Sequence, residues 1–96
     1  MENDRSQHLE RAAEILRAAS EPTRLELLFE LRAGERSVTE LSQDRSFSAV
    51  SQRLRVLRAA GLVVRRREGK RQLYALRDRA LVRLLESLLR HASELS

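Results

Sequence analysis

The sequence predicts a mostly helical domain carrying one small β-hairpin, in the order α-α-α-α-β-β-α. Three observations predict it. Apolar residues recur at helical spacing before Gly61 and again after Asp78. Between those stretches the period falls to two on either side of a turn at Gly69. No linker, repeat or low-complexity stretch interrupts the 96 residues, so 1–96 reads as a single domain.

The first helix is expected from about residue 7 to 19, where Leu9, Ala12, Ala13, Ile15, Leu16 and Ala19 share a stripe. Pro22 opens the second. A residue before proline is pushed out of the helical region, which makes Glu21 the natural N-cap and Pro22 the first helical residue. Leu25, Leu27, Leu28 and Leu31 form its buried side, and Gly34 ends it. Ser37 and Glu40 have the spacing of a capping box, predicting a short third helix through Leu41. After the polar turn Gln43-Asp44-Arg45-Ser46, a fourth helix runs from about Phe47 to Ala60. Val50, Leu54 and Leu57 point inward, and Gly61 closes it.

Leu62 to Arg67 and Gln72 to Leu76 are the two hairpin strands, with one apolar and one basic face. The last helix spans Arg79 to about Ser93. Leu81, Leu84, Leu85, Leu88 and Ala92 make one face, and Val82 and Leu89 widen it. So broad an apolar surface packs on two things: its own domain and, in so small a protein, a second copy of the chain. The architecture is a winged helix-turn-helix, expected as a homodimer.

Charge is split within the domain. From Arg45 to Arg79 eleven Lys/Arg face only Glu68 and Asp78, whereas the rest of the chain carries eight basic and twelve acidic side chains. A helix with an exposed polar face, beside a basic hairpin, suits a groove of double-stranded DNA and its flanking phosphates. On the fourth helix Ser48, Ser51, Gln52, Arg55 and Arg58 lie opposite Val50, Leu54 and Leu57, with Ala49 and Arg53 alongside. Ser and Gln near a helix N-terminus reach base edges, and arginines further along meet phosphates or a guanine. Arg65, Arg66, Arg67, Lys70 and Arg71 surround the hairpin turn as a wing. The alternative for such a hairpin is an edge kept soluble by charge.

Other classes recede. With only Phe29, Phe47 and Tyr74 as aromatics, the core is aliphatic. The absence of cysteine excludes disulfides, thiolate metal sites and thiol redox sensing. The acidic start Met1-Glu2-Asn3-Asp4 is unlike a signal peptide, and no apolar run reaches membrane-spanning length; a cytoplasmic protein is expected. His8 and His91 are far apart in sequence and no nucleophile or paired-carboxylate arrangement stands out, so an enzyme is not expected.

Three blocks then resemble the ArsR/SmtB family of bacterial dimeric repressors, over roughly residues 9 to 94. Ser20-Glu21-Pro22-Thr23-Arg24-Leu25 is similar to its helix-opening pattern. Ser48-Ala49-Val50-Ser51-Gln52-Arg53-Leu54-Arg55-Val56-Leu57-Arg58 is similar to its recognition helix. Ala60-Gly61-Leu62-Val63 with Arg66-Arg67-Glu68-Gly69-Lys70 is similar to its wing. The resemblance implies a homodimer joined through the first and last helices, binding a palindromic operator and blocking transcription until an inducer releases it.

Two departures bear on the inducer. Where arsenic- and lead-sensing members carry E-L-C-V-C, this chain has Glu35-Arg36-Ser37-Val38-Thr39, without either thiolate. Zinc-sensing members have D-x-H near the start of the last helix and H-x-x-E near its end. Asp78, His91 and Glu94 match, but Ala80 stands at the early histidine. Asp78 and His91 lie about 20 Å apart along one helix, so a metal, zinc or a similar divalent ion, would have to be shared across two antiparallel copies. In the plainer reading Asp78 caps the helix and His91 and Glu94 decorate its end. The alternatives are a metal-independent regulator answering to a small molecule or protein partner, and a winged helix serving as a protein-interaction module.

Overall fold

The structure, a computed structural model, describes residues 2–95. Its elements are α1 (Glu2–Ser20), α2 (Pro22–Leu31), β1 (Arg36–Ser37), α3 (Val38–Leu41), α4 (Phe47–Ala59), β2 (Val63–Glu68), β3 (Arg71–Leu76) and α5 (Arg79–Leu95). The three strands form one antiparallel sheet in the order β1-β3-β2. This is the winged helix-turn-helix expected from the pattern, with one strand more.

The added strand is β1, whose Arg36 and Ser37 pair with Tyr74 and Leu73 of β3. Two residues are too short to show a period of two. They are recruited because the edge of β3 away from β2 would otherwise present unpaired backbone groups. Ser37 serves twice, as a strand residue and as the N-cap of α3. Its Oγ accepts from Glu40 N at 3.1 Å while the Glu40 carboxylate accepts from Ser37 N at 2.8 Å. α1 likewise begins before its apolar stripe, because periodicity reports where a helix packs and not where its backbone bonds start.

The α1–α2 corner follows its sequence. Glu21 is extended (φ −71°, ψ 127°), and its carboxylate accepts from Thr23 N at 3.1 Å and Arg24 N at 3.0 Å. Hydrogen bonds from the Thr23 hydroxyl and backbone N–H hold that carboxyl below the ordinary range. Arg24 Nε donates to the Ala18 carbonyl at 2.6 Å, tying α2 back to α1. Gly61 at φ +81° stops α4, a conformation that costs other residues about 1–2 kcal/mol. With it in place, Leu62 N reaches Leu57 O at 2.9 Å and the chain turns into β2.

The core is aliphatic, with Tyr74 the one buried aromatic among the described residues. Leu27 and Leu28 of α2 and Val50, Leu54 and Leu57 of α4 are fully enclosed, and Leu41, Val63, Leu76 and Leu85 are among the residues packed with them. Leu85 is the one buried residue of α5, with Leu81 and Val82 half-buried beside it. Leu84, Leu88 and Leu89 stay exposed, as do Leu9 and Leu16 on α1, the last at 66 %. The broad apolar surface read from the last helix is therefore used on one side only. Among the described residues no helix is long and apolar enough to cross a membrane.

Candidate nucleic-acid interface

Ser46 starts α4. Its Oγ accepts from Ala49 N at 3.3 Å, so the polar turn ends in an N-cap and the next four residues emerge at the helix tip. The enclosed Val50, Leu54 and Leu57 seat α4 on the core. Ser48, Gln52, Arg55 and Arg58 are exposed, while Ala49, Ser51 and Arg53 are half-buried on its flanks.

The helix stands as a ridge between two depressions. On the wing side, Ser51, Arg55 and Arg58 line a groove of about 600 Å³ with Arg65, Lys70, Arg71, Gln72 and Tyr74 of the hairpin. Ser37, Val38, Thr39 and Phe47 complete that groove. On the other side Ala49, Gln52 and Arg53 border a smaller hollow with Glu21 and Arg24. Arg53 also lines an acidic notch with Glu26, Glu30 and Glu40. Of the helix arginines, Arg55 and Arg58 face the wing and Arg53 faces α2. A polar ridge of helix width with cations along one flank fits a major groove and the adjoining phosphates.

The wing is a tight hairpin. Its register runs from Val63 opposite Leu76 to Glu68 opposite Arg71, leaving Gly69 and Lys70 as the two-residue turn, with Gly69 at φ +61°. Past Val63 every residue of β2 is exposed, so Arg65, Arg66 and Arg67 reach solvent beyond the core. Arg58, Arg65, Arg66, Arg67 and Gln72 meet in a second small hollow at the base of the wing.

The basic stretch is not uniformly free, which the sequence alone did not show. Arg45 is turned onto α2, where it pairs with Glu26 and Glu30. Arg66 is held by Glu35 through two bonds of 2.8 Å, with Glu68 at 3.3 Å. The Arg66 hydrogen bond holds the Glu35 carboxyl below its ordinary range, and Glu35 raises Arg66 in turn. Arg71 lies 3.4 Å from Glu40 and 3.9 Å from Glu68. Among the described residues Arg55, Arg58, Arg65, Arg67 and Lys70 make no ion pair. Phe47, Thr39, Gln72 and Tyr74 are groove residues that the charge pattern missed. The one sequence signal that could have found Phe47 is an aromatic placed directly after the polar turn Gln43-Asp44-Arg45-Ser46.

The residues expected at a metal behave differently. Asp78 caps α5, its Oδ1 accepting from Leu81 N at 2.8 Å. His91 and Glu94 are exposed at the far end of the same helix. Among the described residues of one chain no three His, Cys, Asp or Glu side chains converge on a common point. Within a single chain these donors therefore do not fit a metal.

Residues 21–64, the span from the α2 cap through the helix-turn-helix into β2, match the model of the bacterial regulatory protein, arsR family. The chain is 40% identical to the transcriptional regulator NmtR of Mycobacterium tuberculosis, covering 94% of this chain and 77% of NmtR. It is 38% identical to the transcriptional repressor SmtB of the same organism, covering 90% of this chain and 65% of SmtB, just under two thirds of that relative's length. Among solved structures it superposes with a TM-score of 0.88 on a homodimeric winged helix-turn-helix DNA-binding domain from Mycobacterium bovis. That domain comes from a possible ArsR-family transcriptional regulator; identity is 30%, with 94% of this chain and 85% of that one covered. These relatives are regulators of transcription, not enzymes. With the helix-turn-helix, the wing and similarity along most of the chain in agreement, this chain belongs to the arsR family of bacterial regulatory proteins.

Proposed function

We propose that two copies of this chain, joined through α1 and α5, bind a palindromic DNA operator and repress transcription until an inducer releases them. One observation carries the reading. Ser51, Arg55 and Arg58 of α4 and the unpaired wing cations Arg65 and Lys70 border a single groove, while Leu9 and Leu16 of α1 and Leu84, Leu88 and Leu89 of α5 are left exposed. In this arrangement α4 enters the major groove, with Ser48, Ser51 and Gln52 at base edges. Arg55, Arg58, Arg65, Arg67 and Lys70 meet phosphates. Pairing two copies sets two such helices one duplex turn apart, which is what a palindrome requires.

Selection of preferred duplexes from a random pool, followed by sedimentation of the complex, tests this. The expected result is an inverted repeat bound by two chains, with affinity falling steeply as salt rises. Absence of any preferred duplex would overturn the reading in favour of a protein-interaction module.

For the inducer, the sequence supports a zinc ion held between Asp78 of one subunit and His91 and Glu94 of the other. His91 and Glu94 are one helical turn apart and exposed, and antiparallel copies of α5 would bring them toward the opposite Asp78. Three protein donors and a water would bind more weakly than a complete tetrahedral set. A metal-independent inducer is the competing reading. It is favoured by Asp78 already serving as the α5 cap.

A further inference from the structure

We propose that Phe47 reads the 5-methyl group of a thymine in each operator half-site, making it a specificity residue of the recognition helix. Phe47 is the first residue of α4 and is 57 % exposed. Its exposure is unlike that of the α1 and α5 leucines, because its ring lines the groove shared with Ser51, Arg55 and Lys70. Val38 and Tyr74 lie on the opposite wall, while the other α4 residues of the groove are Ser51, Arg55 and Arg58, so Phe47 is the one apolar side chain that the helix itself presents there. The leading turn of a recognition helix is the part that reaches base edges in a major groove. The apolar feature on those edges is the thymine methyl, which aromatic and small aliphatic side chains touch. A phenyl ring also loses little conformational freedom when it docks, having two side-chain torsions. Ser46 fixes the turn beneath it by capping the helix.

This assignment holds only if α4 enters the major groove, the reading proposed above. The test uses the duplex that the full chain selects. Each thymine is replaced in turn by deoxyuridine, which removes the methyl and leaves every hydrogen-bonding group in place. At one thymine per half-site the replacement is expected to weaken the parent about fourfold, the value of burying one methyl-sized apolar group, and about fifteenfold when both half-sites are changed. Phe47→Ala should bind the thymine duplex more weakly by a similar factor and be indifferent to deoxyuridine at that position. Phe47→Leu, which keeps an apolar side chain, should retain part of the sensitivity. A purely structural role would weaken every duplex alike and leave the deoxyuridine effect intact, which would overturn the assignment. A parent that selects no duplex sinks the DNA-binding reading as well. A selected duplex with no Phe47-dependent deoxyuridine effect sinks this assignment alone.

Discussion

The guanidinium of Arg66 lies side-on against the carboxylate of Glu35, Nε to Oε2 and Nη2 to Oε1 at 2.8 Å each. The two residues are 31 apart in sequence, so the pair ties the wing to the segment leading into β1. It also withholds one cation from any phosphate. Glu35→Gln would leave Arg66 able to reach DNA. The slope of log K against log salt is then expected to steepen by up to about 0.9, the increment for one neutralised phosphate. Arg66→Ala in the parent should change that slope far less than Arg67→Ala or Lys70→Ala, because neither Arg67 nor Lys70 has a carboxylate partner among the described residues. Filter binding over a salt series checks both.

The same pair predicts a pH effect. Glu35 is held below its ordinary value of 4.5 by the Arg66 hydrogen bond, so the tether favours the ionised carboxyl. A carboxyl with a depressed folded value contributes fully above its unfolded value. That contribution is lost as pH falls through the lowered folded value. Near neutrality the tether is therefore intact, and it opens only in acid. An NMR titration of the Glu35 side chain should show a depressed midpoint in the parent and a higher one in Arg66→Ala. Because both groups are solvent-accessible, solvent screens the pair and its contribution to global stability is small.

Recognition should separate from affinity on α4. Replacing Ser51 and Gln52 by Ala is expected to cost about 1–3 kcal/mol of discrimination for each base edge that is no longer read. Binding to random duplex should hardly change, since Arg55 and Arg58 remain. Competition between selected and random duplex measures this directly, and identical behaviour of parent and variants would place base reading elsewhere.

Assembly depends on the leucines that the core does not use. Leu88 is exposed in the single chain, so Leu88→Glu should leave the fold intact and fail only in association. Burying an unpaired carboxylate between subunits is strongly unfavourable, and the variant is expected to sediment as a monomer. It should lose operator binding with the dimer. A parent that is itself monomeric at micromolar concentration would refute the paired arrangement.

Zinc supplies the last test. Calorimetry on the parent should show modest binding at most, and Ala80→His, which adds the imidazole that zinc-sensing patterns carry there, should tighten it markedly. His91→Ala should abolish any zinc-dependent release while leaving DNA affinity in place. A ligand shifts the equilibrium only through its different affinity for free and DNA-bound forms, so zinc must bind the free dimer more tightly than the operator complex. No heat from either the parent or Ala80→His would direct the search to a metal-independent inducer.

Local chemistry carried much of this protein in the order of its residues. Glu21 before Pro22, Ser37 with Glu40, and Gly61 after a helical run each specify a boundary through hydrogen bonds or torsions that reach only three or four residues. The enclosed faces of α2 and α4 follow from a period that repeats every turn. Tertiary structure decided what depends on residues far apart. β1 exists because β3 passes beside Arg36 and Ser37, joining Ser37 to Leu73 and Arg36 to Tyr74 across a separation that no local pattern contains. Charge is the clearest case. The sequence counts Arg45, Arg66 and Arg67 alike, yet Arg45 is drawn to Glu26 and Glu30, Arg66 to Glu35, and Arg67 to no carboxylate among the described residues. A count of charges is a property of composition. Which of them remain available to a phosphate is set by distances that only the folded chain defines.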